Sequence, residues 1–97
     1  MFFILLRFSI NADRVTEFLE AHTAWLAQGF EDGLFLTAGA MSDGDGEAIL
    51  AVAEDLAAIE ACVAKDPFVI EGVVEVEITG ISPTMLDDRL GFLLGEG

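Results

Sequence analysis

The chain has one histidine, His22 in "AHTAWL", and one aspartate that precedes a proline, Asp66 in "KDPF". An aspartate beside a histidine fixes the imidazole tautomer and stabilises its protonated form, which leaves a ring nitrogen able to move a proton near neutral pH. Sequence separation alone does not bring the two together. Each also has a purely structural reading: His22 as a core histidine bonded to a backbone carbonyl, Asp66 as the acceptor of backbone donors in the turn it begins. No other pattern competes. "DGDG" lacks the ligand register and terminal glutamate of a calcium loop, "TAGAM" has no phosphate-loop glycines, and no serine sits in a nucleophile elbow. Cys62 is the sole cysteine, so an intrachain disulfide or a multi-cysteine metal site is excluded and packing is its expected role. No cofactor and no metal are expected.

The elements that must position this pair follow from periodicity. Phe2 to Phe8 is aromatic and branched on both alternating faces, which predicts a strand covered on both sides. Val15, Phe18, Leu19, His22, Trp25 and Leu26 recur at helical spacing, so His22 is expected to point inward, with Asn11 or Asp13 capping the helix and Gly33 ending it. "LFLTAGAM" (34–41) and "EAILAVAE" (47–54) predict two strands joined by the turn formers of "SDGDG". Asp55 then caps a second helix whose stripe of Leu56, Ile59 and Val63 is continued by Asp66, where Pro67 stops it. "VVEVEI" (73–78) alternates valine and isoleucine with glutamate, as a half-exposed strand does. The order β-α-β-β-α-β is that of an α+β, ferredoxin-like domain with an antiparallel four-stranded sheet. It spans residues 1–83. The remaining extension, 84–97, spaces Leu86, Leu90, Leu93 and Leu94 along one side and is expected to form a short helix docked on the body or on a neighbouring subunit.

Composition limits the partners. With 97 residues, 54% of them hydrophobic, and a mean hydropathy of +0.58, the chain carries more apolar surface than one small domain hides, so a homodimer or a higher oligomer is expected. The net charge of −14 and only four basic residues oppose nucleic acid and anionic membrane. No segment reaches the roughly 20 apolar residues of a membrane span. "MFFILLRF" has no basic flank and no small-residue cleavage site, so it is not read as a signal peptide and a cytoplasmic location is expected.

The motifs "AHTAWL", "DGLFLTAGAM", Gly46 after the hairpin loop and "AKDPFVIEGV" together resemble the YciI-like (YCII-related) family, over roughly residues 1–83. The resemblance implies a dimeric α/β barrel in which two sheets face each other, and it matches His22 and Asp66 to the histidine and aspartate proposed as that family's active site. It further implies a small-molecule ligand, with Arg7, Gly39 and Phe68 as candidate substrate-binding residues. The chain departs from the family where Leu19 replaces an arginine, Ala40 replaces a proline, and an extension follows Pro83.

The expected function is acid–base chemistry on a small metabolite, a lactone or a halogenated ring compound, with His22 as general acid or base and Asp66 orienting it. An enzyme of this kind would be a cofactor-independent lyase, isomerase or dehalogenase. The alternative is a non-catalytic homodimeric module that binds a ligand or a protein. A third reading, His22 as an axial haem ligand, has the least support, because an aspartate partner suits proton transfer as well as ligand orientation and the helix stripe does not define room for a porphyrin.

Overall fold

In the computed structural model, which describes residues 1–93, Phe2–Phe8 is extended and forms strand β1. Phe35–Ala40 forms β2, Gly46–Ala51 forms β3 and Val74–Gly80 forms β4. Helix α1 covers Val15–Glu31, α2 covers Leu56–Val63, and a single turn, α3, covers Pro67–Ile70. The four strands lie in the order β2-β3-β1-β4 with every neighbouring pair antiparallel. This is the ferredoxin-like α+β arrangement that the element order predicts.

Register decides what each face of the sheet carries. Ile4 pairs with both Ile49 and Ile78, and Leu6 with both Glu47 and Val76, so these side chains share one face. The helices cover that face. Ile4, Leu6, Ile49, Ile59 and Val73 are fully buried there, with Phe35, Val63 and Phe68 beside them. Each such side chain contributes about 1.5–3 kcal/mol of transfer free energy, which anchors both helices to the sheet. The opposite face pairs Phe3 with Leu50 and Leu5 with Ala48. No helix among the described residues lies over it, and Phe3 stays 40% exposed. The expectation of a strand covered on both sides is therefore met on one face only within a single chain.

Two helix boundaries differ from the sequence reading. Asn11 does not cap α1; its side-chain N–H donates to the carbonyl of Gly72 at 3.2 Å, and a 3-10 turn at Ala12–Arg14 leads into the helix. A distant carbonyl wins the Asn11 side chain because the Ser9 hydroxyl, which also donates to Gly72, draws the two loops together. Helix α2 ends at Val63 rather than at Asp66. Asp66 is extended (φ −66°, ψ 124°), as the ring of a following proline demands, and its role is to cap α3.

Other boundary signals hold. Asp55 Oδ1 accepts the Ala58 N–H at 2.9 Å and starts α2. Gly33 follows α1 with φ +77°, the left-handed geometry that glycine adopts without a steric cost. The extension forms a 3-10 helix at Asp88–Leu93 with no buried residue, although Leu86, Leu90 and Leu93 are half-buried; Leu94 lies outside the described residues. No helix among the described residues is long and apolar enough to cross a membrane.

Candidate active site

Helix α1 carries His22 inward, and the Asp–Pro junction between α2 and α3 carries Asp66 to meet it. His22 Nδ1 lies 2.7 Å from Asp66 Oδ1, and both residues are buried, at 3% and 0% exposure. The same Oδ1 accepts the Phe68 N–H at 3.0 Å. Asp66 thus serves both readings made of it: it begins a turn and it holds the imidazole. Its Oδ2 is buried with no hydrogen-bond partner among the described residues, so the imidazole is the one side chain facing this buried carboxylate through a hydrogen bond.

The Phe68 ring stacks on the imidazole at 4.0 Å between centroids and 8° between planes. Face-on stacking suits a cationic ring, since the aromatic face is electron-rich. Trp25 lies 5.6 Å away, tilted by 31° to the imidazole, and its indole N–H donates to the Cys62 carbonyl at 3.1 Å. That bond ties α1 to the end of α2, which keeps His22 and Asp66 in step.

A third group completes the site. His22 Nε2 lies 2.8 Å from Glu47 Oε1, so the imidazole is clasped between two carboxylates. Burial opposes its protonation, but the hydrogen bonds and negative charges of Asp66 and Glu47 outweigh that opposition and raise His22 from 6.5 to about 9. At neutral pH His22 is an imidazolium that donates from both nitrogens. Glu47 reaches it because Gly46 precedes it: Gly46 has φ +121°, and a Cβ there would strike the Leu6 carbonyl. Only glycine lets β3 begin that close to β1 and present Glu47 on the helix-covered face.

The three residues differ in access. His22 forms part of the wall of a cleft of about 200 Å³, Asp66 is not among its lining residues, and Glu47 keeps 26% of its side-chain surface. The cleft opens between α1 and the end of the sheet, lined by Leu6, Phe8, Leu19, Phe68 and Val74 around His22 and Glu47.

The other candidate residues divide. Phe68 lines the cleft. Arg7 points to the opposite sheet face, where Nε donates to Glu77 Oε1 at 3.3 Å and a guanidinium nitrogen lies 3.8 Å from Asp45. Gly39 pairs with Ala48, which pairs with Leu5, and so shares the face of Arg7 rather than that of His22. Leu19, at the position where an arginine was noted as missing, is half exposed and borders the cleft. Glu47 was not anticipated. Its signal was available: it alternates in phase with Ile49 and Ala51, which are core positions, and a carboxylate in phase with a buried stripe calls for a partner.

Comparison with known proteins agrees with this picture. No curated protein matches the sequence. Among solved structures, the chain is similar to 5-chloro-2-hydroxyhydroquinone dehydrochlorinase (TftG) from Burkholderia phenoliruptrix AC1100 in complex with 2,5-dihydroxybenzoquinone, with a TM-score of 0.66. Sequence identity is 19% over 84% of this chain and 94% of that one, a likeness that establishes a shared fold. The model of the YCII-related domain matches residues 1–82. With its fold, its buried histidine–aspartate pair and that match in place, the chain belongs to the YCII-related domain family.

Proposed function

We propose that this chain is a cofactor-independent enzyme that performs acid–base chemistry on a small hydroxylated ring compound, with loss of HCl from a chlorinated ring as its reaction. The observation that carries the reading is the clasped imidazole, with His22 held between Asp66 at 2.7 Å and Glu47 at 2.8 Å against one wall of a cleft. A buried, hydrogen-bonded proton-transfer unit facing a cleft is a common mark of catalysis. At about 200 Å³ the cleft falls below the roughly 300 Å³ at which pockets for drug-sized ligands begin, and it suits a single ring. The similar fold of a dehydrochlorinase supports the choice of reaction. Apolar lining favours the ring, and the charged His22–Glu47 part of the wall suits its hydroxyl groups.

The test is chloride release from 5-chloro-2-hydroxyhydroquinone, followed with a chloride electrode. The wild type should release chloride and His22→Asn should lose at least ~100-fold in rate. A wild type that releases none, or a His22→Asn variant with an unchanged rate, overturns the proposal.

A homodimer also forms part of the proposed state. Phe3, Leu5, Ala48 and Leu50 give the open sheet face an apolar centre, and a second copy of the sheet would cover it. Sedimentation equilibrium at micromolar concentration should return twice the mass of the chain; a monomer throughout would exclude this.

A further inference from the structure

We infer that Glu47, rather than His22, is the group that meets the substrate and takes its proton, with the His22–Asp66 pair standing behind it as a fixed positive counter-charge. The inference deepens the proposed acid–base function and rests on that reading. Both imidazole nitrogens are already engaged, Nδ1 by Asp66 and Nε2 by Glu47, and Phe68 stacks on the ring. A substrate entering the cleft therefore finds no free ring nitrogen on the imidazole. It finds Glu47, whose Oε2 makes no hydrogen bond to a described residue and whose side chain is about a quarter exposed there.

The charge state fits the role. A carboxylate that keeps one oxygen on an imidazolium retains its ability to accept a proton on the other, and the buried Asp66 keeps the imidazolium from surrendering its own. Among the described residues lining the cleft, from β1, α1, β2, β3, α3 and β4, only His22 and Glu47 carry an ionisable side chain; every other one is apolar or glycine.

For loss of HCl the step balances without an oxidant. In the keto form of the ring the chlorinated carbon is tetrahedral and lies next to an enol. The enol hydroxyl gives its proton to Glu47 Oε2, and its O–H electron pair becomes a C=O bond. The enol C=C pair moves into the bond to the chlorinated carbon, and the C–Cl pair leaves as chloride. Glu47 then returns its proton to water.

The experiment compares wild type, Glu47→Gln and Glu47→Asp on 5-chloro-2-hydroxyhydroquinone across pH. Glu47→Gln should keep KM within a few-fold, lose ~10²–10⁴ in kcat and lose the acidic limb of the kcat profile, with Glu47→Asp recovering part of the rate. Circular dichroism confirms that each variant is folded. Chloride release by Glu47→Gln within ~3-fold of wild type overturns the inference and leaves the proposed function standing. If the wild type itself releases no chloride, the proposed function fails, and 2,5-dihydroxybenzoquinone is added while the ¹³C carboxyl signal of Glu47 is followed. A shift of that signal with His22 still an imidazolium supports Glu47 as the contact; an unmoved signal, or a His22 ring signal that moves instead, overturns it.

Discussion

His22 illustrates how a neutral-pH titrator becomes a cation at neutral pH. Burial on its own would lower its proton affinity, yet two carboxylates in hydrogen-bond contact raise it from 6.5 to about 9. Because the folded value exceeds the unfolded one, the stabilisation is fully present below pH ~6.5 and is lost as pH rises through ~9, with a ceiling of roughly 3 kcal/mol. Urea unfolding of wild type and His22→Asn at pH 6 and pH 9.5 measures this: the wild-type advantage should shrink by up to that amount at the higher pH. An advantage independent of pH would mean that folding leaves the imidazole pKa unshifted. The sequence exposed His22 and Asp66 as a pair only through the family motifs, since helical spacing says which way a side chain points and nothing about a contact from another element. Glu47 was legible in principle from its phase with Ile49 and Ala51. Arg7 could likewise have been set aside, because it is out of phase with Ile4 and Leu6 and so belongs to the other sheet face.

The elements that hold the site depend on a few local devices. Strand and helix identities followed from period-2 and period-3.6 patterns, while the errors fell at junctions, where side chains compete with remote partners. Asn11 was drawn away from α1 by the carbonyl of Gly72, and the α2 stripe suggested a helix running to Asp66 when the proline had already fixed that residue as extended. The Gly46 junction carries the most consequence. Gly46→Ala puts a Cβ on the Leu6 carbonyl at φ +121° and should destabilise the domain by about 1–3 kcal/mol, with displacement of Glu47 read as a lower His22 pKa. Asp55→Ala removes the α2 cap at 2.9 Å and should cost about 1 kcal/mol without moving that pKa. Equal effects of the two variants on the His22 titration would break the link between Gly46 and the site.

For the whole molecule, composition pointed correctly to an excess of apolar surface but not to its location. The apolar sheet centre around Phe3 and Leu50 lies on the face opposite the His22–Glu47 cleft, so the proposed assembly and the proposed chemistry would use different faces of the sheet. The extension has no buried residue over Asp88–Leu93, with Phe92 at 61% and Met85 at 90% exposure. With only Leu86, Leu90 and Leu93 half-buried among its described residues, truncation after Pro83 should cost no more than about 1–2 kcal/mol of unfolding free energy. A larger loss, seen only at concentrations where the chain dimerises, would place the extension on a neighbouring subunit.

The clasp itself is read most directly by an NMR pH titration of the single imidazole in wild type, Asp66→Asn and Glu47→Gln. The wild type should titrate near 9, and each variant should titrate lower because each removes one of the two carboxylates that hold the proton. A wild-type value near the ordinary 6.5 that neither substitution moves would contradict the clasped imidazolium on which the proposed chemistry depends.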